Sequence, residues 1–167
     1  MSSIIRVDTL QKPDGSTPTA ADLGIDVSGS VIQVVTDVFG TETAHGGTSR
    51  FYPVEVTLNA QAGSKIVVQA TVPVFTPASS GAWATMAFWG MDWDTGSGWT
   101  TFTEFEHDAY NITNEWSRTL TGVMSVDVAV TKQYKFRVWV QNYNSNAIAY
   151  FNRGSRNSCL VATEIAQ

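Results

Sequence analysis

The stretch KQYKFRVWVQNYNSNAIAYFNRGSRNSCLVATEI, residues 132–165, decides the fold. Within it Tyr134, Phe136, Val138 and Val140 share one side, and Lys135, Arg137, Trp139 and Gln141 share the other. A period of two sustained through β-branched and aromatic residues is that of a half-buried strand. Residues 142–146 suit a turn, because Asn and Ser side chains bond local backbone and Asn tolerates positive φ. Residues 147–152 make a second apolar run, and 153–157 a second polar turn around Gly154. The run 159–165 closes the chain, with Val161, Thr163 and Ile165 on one face and Leu160, Ala162 and Glu164 on the other. A closing strand this apolar is expected to be paired inside a sheet. The chain upstream must supply that sheet.

It does so in short pieces. Val31–Phe39 is apolar on both faces at its start, as a well-covered strand would be. Residues 40–49, with Gly46 and Gly47, read as a loop. The run 51–58 sets Tyr52, Val54, Val56 and Leu58 together, and Pro53 favours an edge or a bulge because it cannot donate to a ladder. In 65–74, Ile66, Val68, Ala70, Val72 and Val74 point inward, and Gln69, Thr71 and Pro73 outward. The run 83–93 is apolar on both faces, so it is either a central strand or a strand with one face against another subunit. Residues 94–98 form a turn, 99–105 a strand, and 106–115 an irregular polar segment. Two further strands are expected at 118–123 and 124–130, the second aligning Val126, Val128 and Val130. Roughly nine or ten short strands at this spacing, without helical periodicity, predict an all-β jelly-roll β-sandwich.

The 167 residues are enough for one domain with a real core. Hydrophobic residues make up 43% and charged ones only 15%, against about 25% in a typical domain. Disorder is thereby excluded, and some apolar surface is expected to lie under another chain. Net charge is −5 without a basic cluster, which argues against nucleic acid as a partner. No run approaches the roughly 20 apolar residues of a membrane-spanning helix, so membrane insertion is not expected. The single Cys159 leaves no internal disulfide and fits a reducing compartment of synthesis. The opening MSSIIRVDTLQ carries Arg6 and Asp8 among its apolar residues, unlike a secretory leader.

Residues 1–29 differ from the rest. Ile4, Ile5 and Val7 suit a short strand, turn-type clusters follow at 12–15 and 16–18, and 20–24 is too short for a helix of its own. The segment reads as an arm that orders against a neighbour, ahead of a β domain at 30–167.

Two ends of that domain, Gly29-Ser30-Val31-Ile32-Gln33-Val34-Val35 and Leu160-Val161-Ala162-Thr163-Glu164-Ile165, frame a resemblance. Between them lie Val56-Thr57-Leu58-Asn59-Ala60 and Ser64-Lys65-Ile66-Val67-Val68, and ahead of them Ser2-Ser3-Ile4-Ile5-Arg6-Val7-Asp8-Thr9-Leu10. Together these segments resemble small virion surface proteins of tailed bacteriophages. The resemblance implies a homotrimeric jelly-roll knob, as in capsid decorations, head fibres and tail-fibre tips. It implies attachment to other virion proteins through the arm, with Ile4, Ile5, Val7 and Leu10 as the anchoring side chains. It also implies synthesis in the host cytoplasm and residence in the virion. The Trp-rich middle, residues 83–116, lies outside the likeness.

That middle carries the candidate contacts. Trp89, Trp93 and Trp99, flanked by Asp92, Asp94 and Glu104, have the chemistry of a sugar platform, since sugar C–H faces are apolar and sugar rims polar. The plainer expectation is that these tryptophans fill a core or an interface. Trp139, between Arg137 and Gln141, is expected to be exposed and to contact a partner. The run 92–98 begins like an oxygen-rich calcium loop, but it lacks the later bidentate Glu, so Asp92 and Asp94 are expected to shape a surface turn. No cofactor and no enzyme are expected: no nucleophile elbow, zinc pair or phosphate loop is present, and His107 sits among solvated carboxylates. The function expected is that of a structural protein on a phage particle, with host glycans as a further contact. The alternative is a carbohydrate-binding module or receptor-binding tip built on the Trp-rich segment.

Overall fold

The computed structural model describes residues 28–76, 86–106, 116–142 and 148–167, with Pro13, Gly15 and Ser16. These residues fold as strands alone: β1 (Val31–Phe39), β2 (Thr43–Gly46), β3 (Glu55–Ala60), β4 (Ser64–Thr76), β5 (Met86–Asp94), β6 (Thr100–Glu106), β7 (Trp116–Asp127), β8 (Lys132–Asn142), β9 (Ile148–Phe151) and β10 (Ser158–Ala166). One sheet has six strands, in the order β1-β10-β4-β9-β2 with β7 along the other edge of β4; the second runs β3-β8-β5-β6. Every pairing is antiparallel. The two sheets pack face to face as a β-sandwich. The arm residues Ile4, Ile5, Val7 and Leu10 lie outside the described residues.

Alternation builds the core as expected. Ile66, Val68, Ala70, Val72 and Val74 of β4 are buried, and so are Tyr134, Phe136, Val138 and Val140 of β8. Each such side chain contributes about 1.5–3 kcal/mol by leaving water. Trp89 of β5 crosses the sandwich to β7, where a Cβ on Gly122 would come within 2.6 Å of its ring. The closing strand β10 lies between β1 and β4, inside the sheet.

Three expectations change. The runs 118–123 and 124–130 are not two strands; most of their length forms the single strand β7, paired with β4 in unbroken register from Lys65↔Asp127 to Thr76↔Trp116. Gly122 is a small residue inside that strand and leaves room for the Trp89 ring. Residues 43–46, expected in a loop, form β2 against β9. Four residues ending in Gly carry too little periodicity to show as a strand. Finally, β1 is not covered on both faces. It is an edge strand whose Val35 and Phe39 pack on the core while Val34 and Val38 face outward.

The alternation of β10 also turns Glu164 inward, where it is fully buried. Its carboxylate accepts from Gln33 Nε2 at 2.5 Å, Gln61 N at 2.7 Å and Ser64 Oγ at 2.6 Å. Burial pushes its pKa up, but these three donors outweigh burial and hold it below the ordinary 4.5. The carboxylate joins the chain's last strand to β1 and to the β3–β4 turn.

Candidate interaction surface

The outer face of the four-stranded sheet gathers most of the Trp and Asp candidates. Alternation on β5 sends Trp89, Met91 and Trp93 toward the core and Gly90, Asp92 and Asp94 outward. Register sets Asp92 beside Arg137 and Gly90 beside Trp139 on β8. Residues 51–54 extend the β3 edge along β8, with Phe51 paired to Val140 and Val138 N donating to Val54 O at 3.1 Å. One position on β8, Trp139, faces two here, so Tyr52-Pro53 is accommodated as a bulge. This places Arg50 and Tyr52 over the outer face.

Arg137 is held on every side. Its Nε and Nη2 donate to Asp92 Oδ2 at 3.1 and 3.0 Å, a bidentate pair. Its guanidinium lies 3.8 Å from the Tyr52 ring centroid and 4.0 Å from that of Trp99. The other carboxylate oxygen of Asp92 accepts from Thr101 Oγ1 at 3.0 Å and from Arg50 Nη1 at 3.4 Å. Arg50 also donates to Thr101 Oγ1 at 3.0 Å, lies 3.8 Å from Glu104 Oε2, and stacks 3.7 Å over Trp139. Asp92 is only 2% exposed. The expected surface carboxylate is a buried one, neutralised by two arginines.

Trp139 is corrected in the same way. Its side chain points outward, as the alternation requires, yet it is 0% exposed because Arg50 covers it and Gly90 receives it. A Cβ on Gly90 would sit 2.7 Å from the indole ring, so only glycine lets the ring lie across that strand. The indole N–H is buried without a hydrogen-bond partner among the described residues. Such a donor costs about 1–3 kcal/mol. The cation–π contact with Arg50 offsets part of that, about 0.5–2 kcal/mol.

The remaining candidates separate. Trp89 is in the core, so it presents no ring face to a ligand. Trp93 is partly buried against the core and meets Phe102 edge-on at 5.6 Å. Trp99 covers Arg137. Asp94 does shape the turn expected of it: its Oδ1 accepts from Gly96 N at 2.7 Å and Gly98 N at 3.0 Å. The Gly96 bond above all, with the Gly98 bond and the charge of Lys135, holds its pKa below 3.8 against the upward push of burial. Both oxygens of Asp92 and one of Asp94 are thus occupied by protein donors. His45 stacks on Phe51 at 5.3 Å, with Nε2 2.9 Å from Ser49 O. His107 lies outside the described residues.

The outer face of the six-stranded sheet is the reverse. Ile32, Val34, Thr36 and Val38 of β1 line up with Val161, Thr163 and Ile165 of β10, then Lys65, Val67, Gln69 and Thr71 of β4, then Thr121, Val123, Ser125 and Asp127 of β7. Val34 is 55% exposed, Val38 53% and Val123 62%. The charges on this grid, Lys65 and Asp127, pair with each other at 3.4 Å at one end. Among the described residues, β1 and β7 are both edges of this sheet without a further strand beside them. The sequence signal for this face lies in the apolar outward residues of β1, since a strand apolar on both faces has the same pattern whether its second face is covered or open.

No family model matches the sequence, and no curated protein does. Among solved structures, the chain is similar to the VP2 subviral particle of infectious bursal disease virus at 13% identity and a TM-score of 0.44, covering 84% of this chain and 39% of that one. It is similar to T=1 particles derived from a mutant VP2 of the same virus at 14% identity and a TM-score of 0.44, covering 97% and 41%. It therefore spans about two fifths of the length of those proteins.

Proposed function

We propose that this chain is a non-enzymatic structural subunit that assembles with copies of itself through the outer face of its six-stranded sheet. The observation that carries this reading is that face: four adjacent strands present β-branched apolar and neutral side chains to solvent, with charges only in the Lys65–Asp127 pair at one end and, among the described residues, no further strand on either edge. Contiguous exposed apolar area of this kind marks interaction sites. The low charge content supports the same reading, and so does the resemblance of residues 2–10, 29–35, 56–68 and 160–165 to tailed-phage surface proteins. On that resemblance the assembly is a trimeric knob on a phage particle, a head decoration, head fibre or tail-fibre tip, attached through residues 1–29 with Ile4, Ile5, Val7 and Leu10 as anchors.

Light scattering of the purified protein tests it. The expected mass is about three times the 18.1 kDa chain. The double substitution Val34→Lys and Val123→Lys should reduce it to the single-chain mass without altering the cooperative unfolding of the domain. A monodisperse wild-type monomer at micromolar concentration would overturn the proposal. Deleting residues 1–27 should leave the domain folded and abolish its incorporation into particles; loss of cooperative melting would put the segment in the core.

A further inference from the structure

We propose that the β9–β10 turn and the adjoining ends of β4 and β7 form a binding site for an acidic sugar, engaged through its carboxylate or sulfate. This site lies on the same outer face, beyond Thr71 and Thr121 at the end away from Lys65 and Asp127, and uses none of the side chains of the assembly grid. A pocket of about 330 Å³ opens there, with Phe75, Ser117, Arg153, Gly154 and Arg156 in its wall.

The turn is built to hold its arginines in place. Asn152, Gly154 and Ser155 all adopt positive φ, at 60°, 72° and 63°. Asn152 fixes the turn to its surroundings: its N donates to Pro73 O at 3.3 Å, its Nδ2 to Thr41 O at 3.2 Å, and its Oδ1 accepts from Ser158 Oγ at 2.7 Å. Arg153 then lies with its guanidinium 4.0 Å from the Phe75 ring centroid and 5.7 Å from that of Tyr150. Stacking uses the face of a guanidinium and leaves its edge donors available. Arg156 gives Nη1 to Ser117 Oγ at 2.6 Å, one donor of five.

Neither arginine has a carboxylate within ion-pair distance among the described residues. The contrast is with Arg50 and Arg137, whose charges meet Asp92 and Glu104. Acidic residues outnumber basic ones 15 to 10 in this chain, so two arginines three residues apart without a carboxylate partner among the described residues are not a consequence of composition. Two like charges lining one pocket raise each other's energy, and an oxyanion bound there removes that cost. Guanidinium forks match carboxylate and sulfate geometry. The pocket is roughly ten times the ~30 Å³ share of one water, far more than a bare oxyanion fills. Pro73 and Phe75 supply an apolar wall for the ring that carries the acid group.

The test is titration of the full chain, followed at the Gly154 amide by NMR. The probes are glucuronate and glucose 6-sulfate; glucose and inorganic sulfate are the controls. The expected result is saturable shifts with the acidic sugars, none with glucose, and at least tenfold weaker binding of inorganic sulfate. Arg153→Gln with Arg156→Gln should weaken the acidic sugars at least tenfold with an unchanged melting temperature. Should that pair unfold, Arg156→Gln alone should weaken them at least threefold. Equal response to glucose and glucuronate, inorganic sulfate binding as tightly as the sugars (an adventitious ion only), or no saturable shift at all would each overturn the proposal.

Discussion

On the outside of the four-stranded sheet, Arg137 lies between Tyr52 and Trp99, and Arg50 covers Trp139. On the outside of the six-stranded sheet, Val34, Val38 and Val123 keep more than half of their area in water. Both faces belong to the same sandwich and share its core. They differ because one is crossed by a segment of the chain, residues 50–54, and by the 95–99 turn, while nothing among the described residues crosses the other. A sheet buried on one side needs something on its second side only if that side is apolar. The chain supplies its own cover where the outward residues are tryptophan and a carboxylate. Where they are valine and isoleucine, the described residues leave them in water.

The sharpest way to break the comparison is to open the closed face. Arg137→Ala removes both donors to Asp92 Oδ2 and leaves a carboxylate that is 2% exposed, with Thr101 Oγ1 at 3.0 Å and one longer ion pair, to Arg50 at 3.4 Å. Stranding a buried charge costs about 3–5 kcal/mol. The expected loss is at the lower end of that range, because Arg50 remains, and urea unfolding will read it. A loss under 1 kcal/mol would show that water already reaches Asp92. Arg137→Lys should recover little, since an ammonium supplies neither the fork nor the stacking plane.

How much of this was legible in the sequence follows from where periodicity operates. Alternation of period two located the inward residues of β4 and β8, because there each buried side chain answers to one opposite sheet. It also placed Trp139 on the outward side correctly and then failed on its burial. Coverage of that residue comes from Arg50, 89 residues upstream, and from the absence of a Cβ at Gly90. Neither is a property of the local run. The same reason hid Asp92: Asp-Trp-Asp followed by Gly has the composition of a surface turn, and only cross-strand register shows that Arg137 faces it. Asp94, whose partners Gly96 and Gly98 are local, was read correctly. Local hydrogen bonding is visible in a sequence, and cross-strand pairing is not.

A second measurement compares the two buried carboxylates, one neutralised by arginines and one by neutral donors. Glu164→Gln keeps the shape but turns an amide N–H toward a site where Gln33, Gln61 and Ser64 all donate. The mismatch should cost about 1–3 kcal/mol. The pH dependence has a definite sign. The folded pKa of Glu164 lies below its ordinary 4.5, so its contribution is complete above that pH and is lost as pH falls through the folded value. Wild-type stability should therefore decline below about pH 4.5 more steeply than that of Glu164→Gln. Parallel curves would assign the acid sensitivity elsewhere.

The open face gives a smaller effect on folding and a large one on association. Val34→Thr and Val123→Thr replace exposed methyls by hydroxyls of nearly the same size, so monomer stability should stay within about 0.5 kcal/mol. The same changes should raise the concentration at which assemblies dissociate. A fall in monomer stability beyond 1 kcal/mol would mean that these valines pack within the chain, and the two outer faces would no longer contrast.

The smallest expected effect is at Asp94, which lies on the closed face beside Asp92 but is solvent-accessible. Its role is to accept the amides of Gly96 and Gly98, two residues at φ 100° and 98° that close the turn before Trp99. Asn keeps an oxygen acceptor at that position, whereas Ala removes it. Asp94→Asn should therefore leave melting nearly unchanged, while Asp94→Ala should speed hydrogen exchange at Gly96 and Gly98 and loosen Trp99 over Arg137. Because its folded pKa lies below 3.8, that contribution is complete above this pH and fades as pH falls further. Chelator is expected to change nothing, since three of the four carboxylate oxygens already answer to protein donors and two carboxylates without a bidentate third leave most of a calcium shell to water. A drop of many degrees in melting temperature on adding EDTA would instead make residues 92–98 a structural metal loop. The closed face would then be held by an ion as well as by its arginines.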